Sequence, residues 1–175
     1  MKHITPKTSK TRTEPSLQEL LPSLRPGQSV ELLKELHILT RDGRLNQDSR
    51  RKLKQVYHLY QFIEPLLQEL SADGHAPTLA DHGAGKSYLG FILYDLFFRP
   101  LGRGHIYGIE SRPDLVERSC QLAERLGFAR MSFLNLSVAQ ATESATLPAS
   151  IDVVDRKSTR LNSSHSDRSR MPSSA

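Results

Sequence analysis

The sequence predicts an α/β fold with a doubly wound parallel sheet, preceded by a helical segment. From residue 78 onward, short apolar stretches that suit β-strands alternate with stretches whose apolar residues recur at helical spacing, and the connections between them are short. Before residue 71 the patterns are helical only. A ligand of such a sheet binds at the carboxyl ends of the strands, and we expect the site residues there.

The helical lead-in is predicted over residues 16–70. Two short helices, 16–24 and 29–39, are separated by the helix-breaking segment RPGQ. Asp48 is expected to cap a longer helix, and the apolar residues of that helix form one buried stripe: Leu53, Val56, Tyr57, Tyr60, Ile63, Leu67 and Leu70. Pro65 is expected to kink or divide this helix, because proline lacks a backbone N–H and crowds the preceding turn.

Strands and helices alternate after the linker SADGHAP, which occupies residues 71–77. The pattern predicts four strands, at 78–81, 105–110, 131–136 and 151–154, and between them two helices, at 86–98 and 111–126. Gly127 follows the second of these helices directly, as expected at a helix end. Residues 78–154 would form the N-terminal half of a Rossmann-like cofactor-binding domain.

The two ends of the chain differ in composition from the rest. Residues 1–15 carry four cations before their first acid, and we expect a disordered basic arm there. The segments DRKSTRLNSSH, 155–165, and SRMPSSA, 169–175, resemble the translation of two fixed parts of a sequencing adapter with a short barcode between them. We therefore expect residues 155–175 to be a disordered artefact, and the sheet to be truncated after Val154.

The net positive charge of the chain comes from its two ends. The whole sequence has 24 Lys and Arg against 19 Asp and Glu, and residues 155–175 hold five of those cations and two of those acids. Without that segment, 19 Lys and Arg remain against 17 Asp and Glu. The charge therefore gives only weak support to a nucleic-acid partner.

Several classes of protein are excluded by simple features. The longest apolar stretch, 88–98, has eleven residues and contains Asp95, so it is too short to span a membrane. The N-terminus lacks the apolar core of a signal peptide. The single cysteine, Cys120, excludes an internal disulfide and is expected to be a buried thiol, and no two histidines have metal-ligand spacing. These features predict a soluble, cytoplasmic protein without a metal site.

The segment ADHGAGKS, residues 80–87, has two interpretations. As Ala80-x4-Gly85-Lys86-Ser87 it fits a relaxed phosphate-binding loop, which predicts an ATP or GTP hydrolase with Mg²⁺. As Asp81-x-Gly83-x-Gly85 it fits the acidic glycine turn with which a Rossmann-like domain holds an adenosyl cofactor.

The surrounding sequence favours the second interpretation. A phosphate loop that begins at Ala80 would leave Pro77 inside the preceding strand, where proline is a poor candidate. Its best acid for Mg²⁺ would be Asp155, inside the segment that resembles an adapter. Glu110 instead lies 27 residues after Gly83, at the end of the second strand, where a carboxylate can accept both ribose hydroxyls of an adenosyl group.

The motifs resemble a known family. ADHGAGKSYLGFILYDL (80–96) and IYGIESRPDLVERSCQLAERLG (106–127), with the lead-in helix at 41–67, are similar to class I S-adenosylmethionine-dependent methyltransferases. The resemblance covers roughly residues 30–154. It is nearest to a subgroup with the signature Asp-Phe-Gly-(Cys or Ala)-Gly-Lys-Ser-Tyr-Leu, from which His82 departs by replacing an apolar residue.

The resemblance implies a role for each motif residue. Asp81 would organise the turn and contact the amino-acid end of S-adenosylmethionine, Gly83 and Gly85 would shape the turn, and Glu110 would bind ribose. Either Asn135 or Ser137 would border adenine. The groups that hold the methyl acceptor follow the fourth strand in this family, so RNA, protein and small molecules stay open as acceptors. A non-catalytic binding fragment is the remaining alternative.

Overall fold

The computed structural model describes residues 24–156. Its sheet has four strands: β1 Thr78–His82, β2 His105–Glu110, β3 Met131–Asn135 and β4 Val153–Arg156. All neighbouring strands are parallel, and their order across the sheet is β3-β2-β1-β4. The chain therefore returns across β2 and β1 to add β4. This topology confirms the predicted α/β fold with a doubly wound parallel sheet.

The described helices are α1 Val30–Glu35, α2 Gln47–Ser71, α3 Tyr88–Leu93, α4 Arg99–Leu101, α5 Pro113–Arg125 and α6 Val138–Glu143. A π-helical turn, Tyr94–Phe98, joins α3 to α4. The single helix predicted at 86–98 therefore begins two residues later and continues as a π-turn. Only α2 is long enough to span a bilayer, and neither it nor any other described helix combines that length with sufficient apolarity.

Three predicted segments lie outside the described residues: the basic arm at 1–15, nearly all of the helix at 16–24, and residues 157–175. The fourth strand differs from its predicted bounds. It begins at Val153 and includes Asp155 and Arg156, which were expected to lie in a disordered tail. These two residues extend β4 because they pair with Asp81 and His82 of β1.

The long helix α2 begins earlier than predicted. Asn46, and not Asp48, is its N-cap: its side chain accepts a hydrogen bond from the Ser49 N–H at 2.8 Å. Asp48 lies in the first turn, where a carboxylate suits the helix dipole. Pro65 does not divide the helix, which continues to Ser71.

A buried carboxylate joins the lead-in to the sheet. Asp95, in the π-helical turn, is 1% exposed and accepts hydrogen bonds from the Ser29 N–H at 2.7 Å and from the Gln28 side chain. It also forms an ion pair with Arg99 at 2.8 Å. Burial raises the pKa of Asp95, and these three partners oppose that rise. These contacts hold the segment before α1 against the π-helical turn.

The main hydrophobic core lies on one face of the sheet. Leu79 and Ile106 of the strands pack there with Phe91 of α3, and Leu32 of α1 and Leu67 of α2 belong to the same cluster. A smaller cluster covers the other face and contains residues of β1, β2 and α6: Ala80, Ile109 and Ala141. The carboxyl ends of the strands lie between these two packed faces.

Candidate functional site

The chain leaves β1 through a tight turn with three left-handed backbone conformations. Gly83, Gly85 and Ser87 have φ angles of 73°, 61° and 52°. The N–H groups of Gly83 and Ala84 donate to the carbonyl of Ile109 at 2.8 and 3.0 Å. These two hydrogen bonds therefore hold the turn against the end of β2. Glycine takes these angles without strain because it has no Cβ.

Ser87 is a serine in a conformation that favours glycine. It is 1% exposed, and its Oγ has no hydrogen-bond partner within residues 24–156. A Cβ on Gly90 would lie only 2.6 Å from that Oγ. The serine fits because Gly90 leaves room for it.

Glu110 is the last residue of β2, and its carboxylate is held against the turn. The side chain is buried, with 6% of the residue exposed. Its Oε2 accepts from the Gly85 N–H at 2.8 Å and from Arg112 Nη2 at 3.1 Å. Its Oε1 accepts from the Arg112 N–H at 3.1 Å and from Arg112 Nε at 2.9 Å. The site thus contains a fixed carboxylate at the carboxyl edge of the sheet.

The charge state of Glu110 follows from these contacts. The guanidinium of Arg112 lowers the pKa of Glu110 to about 2, with burial opposing the effect and the N–H groups of Arg112 and Gly85 adding to it. The carboxylate is therefore ionised at neutral pH. An ionised carboxylate is an acceptor only, so it suits a ligand that donates hydrogen bonds.

Asp81 completes the set of residues predicted from the sequence. It is buried near the end of β1, opposite Gly108 of β2 in the parallel register. Gly83 follows it by two residues, and Gly85 reaches across to Glu110. The structure therefore brings all four predicted residues to the carboxyl ends of β1 and β2. Within residues 24–156, no group of three His, Cys, Asp or Glu side chains could hold a metal ion.

The same geometry disfavours the phosphate-loop interpretation. Ala80, Asp81 and His82 are paired with β2 in the sheet, so they cannot form part of a loop around a phosphate. The N–H of Gly85, which such a loop would use for phosphate, donates to Glu110 instead. A buried, ionised carboxylate at this point would also repel a phosphate group.

The part of the chain that contains this site matches a known protein family. Residues 51–155 match the protein family described as "Methyltransferase domain". The match covers more than half of the chain and includes the turn, Glu110 and the first three strands. The chain belongs to this methyltransferase-domain family. Among curated proteins, the comparison finds no match.

Two solved structures are similar to this methyltransferase domain. A protein from Klebsiella pneumoniae assigned as an O-methyltransferase is 15% identical, with a TM-score of 0.50, and the match covers 81% of this chain and 58% of that one. The magnesium protoporphyrin IX methyltransferase from Synechocystis, solved with bound S-adenosylmethionine, is 18% identical, with a TM-score of 0.41 and coverage of 82% and 62%. The chain spans less than two thirds of either structure's length. The first of these likenesses shows that the methyltransferase domain has a Rossmann-like fold.

Lys86, in the turn, and His82, the last residue of β1, are not among the donors to Glu110 described above. Lys86 is exposed at the start of the connection to α3. His82 is buried, and its Nδ1 has no hydrogen-bond partner in the described part of the chain. Burial lowers the pKa of His82, and Arg156 adds to the effect, so the imidazole is neutral at pH 7. His82 is thus a packed, neutral histidine.

Two other sequence expectations concern Cys120 and the pair Asn135 and Ser137, and for the pair the structure gives positions while the contact with adenine stays a prediction. Cys120 is exposed, and the expectation of a buried thiol is wrong: α5 turns Ser119 and Leu122 toward the interior and Cys120 outward. Asn135 donates from Nδ2 to the Glu110 carbonyl at 3.0 Å, which holds the ends of β2 and β3 together. Ser137 caps α6 through a capping box.

Sequence reasoning missed Arg112, although it contributes most of the contacts to Glu110. Arg112 is the N-cap residue of α5, yet its side chain makes no capping hydrogen bond. Serine, threonine, aspartate and asparagine are the usual residues at that position. An arginine at an N-cap, two residues after a candidate ligand carboxylate, is the signal that could have identified it.

Proposed function

We propose that this methyltransferase domain binds S-adenosylmethionine at the glycine turn and the end of β2, and that its function is methyl transfer. The observation that carries the proposal is the Glu110 carboxylate, which is buried, ionised and fixed against the turn. Two neighbouring ribose hydroxyls donate two hydrogen bonds, and the two oxygens of one carboxylate can accept both. Membership of the methyltransferase-domain family supports this cofactor.

Each residue of the site has a role in the proposal. Glu110 accepts hydrogen bonds from the ribose. Gly83 and Gly85 bring the backbone close to the cofactor, because a left-handed turn without Cβ atoms leaves that side open. Asp81, buried two residues before Gly83, attracts the ammonium group of the amino-acid end in this proposal.

These residues would promote methyl transfer by holding the cofactor in one orientation. When bound, S-adenosylmethionine supplies a methyl group that its sulfonium has already activated. Asp81 and the turn would hold the amino-acid side of the sulfonium and Glu110 the ribose side, and these contacts would fix the direction in which the methyl group points. Holding two reacting groups in line removes much of the entropic cost of their encounter. The residues named here act by binding and orienting, and none of them needs to transfer a proton.

Calorimetry on the full chain tests the proposal. S-adenosylhomocysteine should bind without added metal, and Glu110→Gln should weaken binding about tenfold, because a charged acceptor of two hydrogen bonds becomes a neutral one. Glu117→Gln is the matched control, since Glu117 is exposed on α5 and should leave the affinity unchanged. Binding of ATP that needs Mg²⁺ and is lost in Lys86→Ala would support the nucleotide hydrolase instead.

A further inference from the structure

The carboxylate that we assign to ribose is already fully engaged by protein donors. Oε1 of Glu110 accepts from the N–H and Nε of Arg112, and Oε2 accepts from the Gly85 N–H and from Arg112 Nη2. The Ser111 hydroxyl approaches Oε1 as well, at 3.4 Å. A carboxylate has about four lone-pair positions. Two ribose hydroxyls therefore cannot be added to this set unless other donors leave.

Of these donors, the guanidinium of Arg112 is the one that can leave at low cost. The N–H of Gly85 is fixed by the turn, and the N–H of Arg112 is fixed at the start of α5, where the Arg112 carbonyl accepts from Leu115 and Val116. The Arg112 side chain, in contrast, is 62% exposed. It can therefore rotate into solvent, and this rotation uncovers the Glu110 carboxylate.

The guanidinium of Arg112 also occupies the two acceptor positions on Glu110 that the ribose hydroxyls would need. Nε contacts Oε1 and Nη2 contacts Oε2, so its departure frees one lone pair on each oxygen. Two vicinal hydroxyls need one acceptor position on each oxygen. Nη2 lies 3.7 Å from the place where a Cβ of Gly85 would stand, so the guanidinium covers the face of the turn that the cofactor would approach.

The capping geometry points to the same role. A residue at the N-cap of α5 normally stabilises the helix with its side chain, but the side chain of Arg112 makes no capping bond and turns back to Glu110. An arginine here adds nothing to the helix start that serine or aspartate would not do better. Its contacts with the site carboxylate are what distinguish it.

We propose that Arg112 is a gate on the cofactor site: its guanidinium takes the place of the ribose hydroxyls on Glu110 and must turn away before the cofactor binds. This inference rests on the proposed function. Because the Arg112 side chain is 62% exposed and solvated on its outer side, we expect the effect of the gate on affinity to be modest. Removing the guanidinium should tighten cofactor binding by about two- to five-fold. The gate should also open as salt screens the pair.

The test is calorimetric titration of the full-length wild type, Arg112→Ala and Arg112→Lys with S-adenosylhomocysteine, at low and at high salt. Arg112→Ala should bind more tightly than wild type at low salt, and the difference should shrink at high salt. Arg112→Lys should lie between them, because lysine keeps the charge but cannot present two parallel donors. Arg118→Ala, which removes an exposed arginine from the same helix, should match wild type. Thermal melting of each variant verifies that it is folded.

The outcomes separate the two proposals. Equal affinities for wild type and Arg112→Ala would overturn the gate and leave the cofactor assignment standing. Weaker binding by Arg112→Ala would also overturn it, because Arg112 would then hold the cofactor rather than compete with it. Failure of every folded variant to bind S-adenosylhomocysteine would overturn the proposed function, and the gate with it.

Discussion

The backbone N–H of Gly85 donates to the carboxylate of Glu110 at 2.8 Å and joins two residues that are 25 positions apart in the chain. This bond ties the glycine turn to the end of the neighbouring strand. The same carboxylate is the proposed ribose ligand. The shape of the turn and the position of the cofactor therefore depend on one side chain, and a change at Glu110 should alter stability as well as binding.

Acidification should destabilise the domain through Glu110. The folded-state pKa is about 2, below the ordinary value of 4.5, because Arg112 donates to the carboxylate. A lowered pKa means that the ionised group stabilises the fold fully above pH 4.5 and loses its effect as the pH falls toward 2. Urea unfolding at a series of pH values should therefore show a steeper loss of stability for wild type than for Glu110→Gln. Glu117→Gln should follow wild type, and equal pH slopes for all three proteins would contradict the assignment.

Gly85→Ala should weaken cofactor binding beyond its effect on stability. The φ of 61° makes any Cβ costly here, by about 1–2 kcal/mol, and the new methyl group would stand in the direction assigned to ribose. Gly127→Ala is the control, because Gly127 has a similar φ of 67° and no atom of residues 24–156 lies within 4 Å of the added Cβ. Both variants should lose stability in urea titrations, and only Gly85→Ala should lose affinity for S-adenosylhomocysteine. Equal affinities in the two variants would place the cofactor elsewhere.

Ser87→Gly should stabilise the domain by about 1 kcal/mol, because it relieves a left-handed serine and removes a buried hydroxyl that has no partner among residues 24–156. Ser87→Ala separates the two effects, since it removes the hydroxyl and keeps the strained backbone. We expect the free energy of unfolding to rise more for Ser87→Gly than for Ser87→Ala. A loss of stability in Ser87→Gly would show that the serine is not strained.

Asp95→Asn should loosen the lead-in and cost about 2–3 kcal/mol of stability, because a buried charged acceptor with three partners becomes neutral. Hydrogen exchange of the amides in α1 should increase at the same time. Asp73→Asn changes an exposed aspartate at the end of α2 and should leave both measurements unchanged. Unchanged exchange in Asp95→Asn would mean that the lead-in is held by its apolar contacts alone.

The sequence predicted the parts of the site that depend on local pattern and topology. Gly83 and Gly85 lie in a recognisable turn, and Glu110 ends a clearly apolar strand, so the parallel sheet brings them to one edge. The partner of Glu110 was not predicted, because an exposed arginine has no periodic or compositional signal. Its position is decided by the direction of one flexible side chain.

The other differences between the sequence predictions and the structure each involve only a few residues. Asn46 and Asp48 are both good caps, and the backbone conformation at Asn46 decides between them. Cys120 lies one residue from the buried Ser119, and a shift of one position on a helix turns a side chain by about 100°. The π-turn at 94–98 inserts one residue that no hydrophobic pattern reveals.

The most direct measurement of the central claim is a crystal structure of the full chain with S-adenosylhomocysteine. We predict that the two ribose hydroxyls lie about 2.5–2.7 Å from the two carboxylate oxygens of Glu110, with the Arg112 guanidinium turned into solvent. The Gly85 N–H should keep its bond to the same carboxylate. A ligand bound away from the turn, with Arg112 still paired to Glu110, would contradict the account.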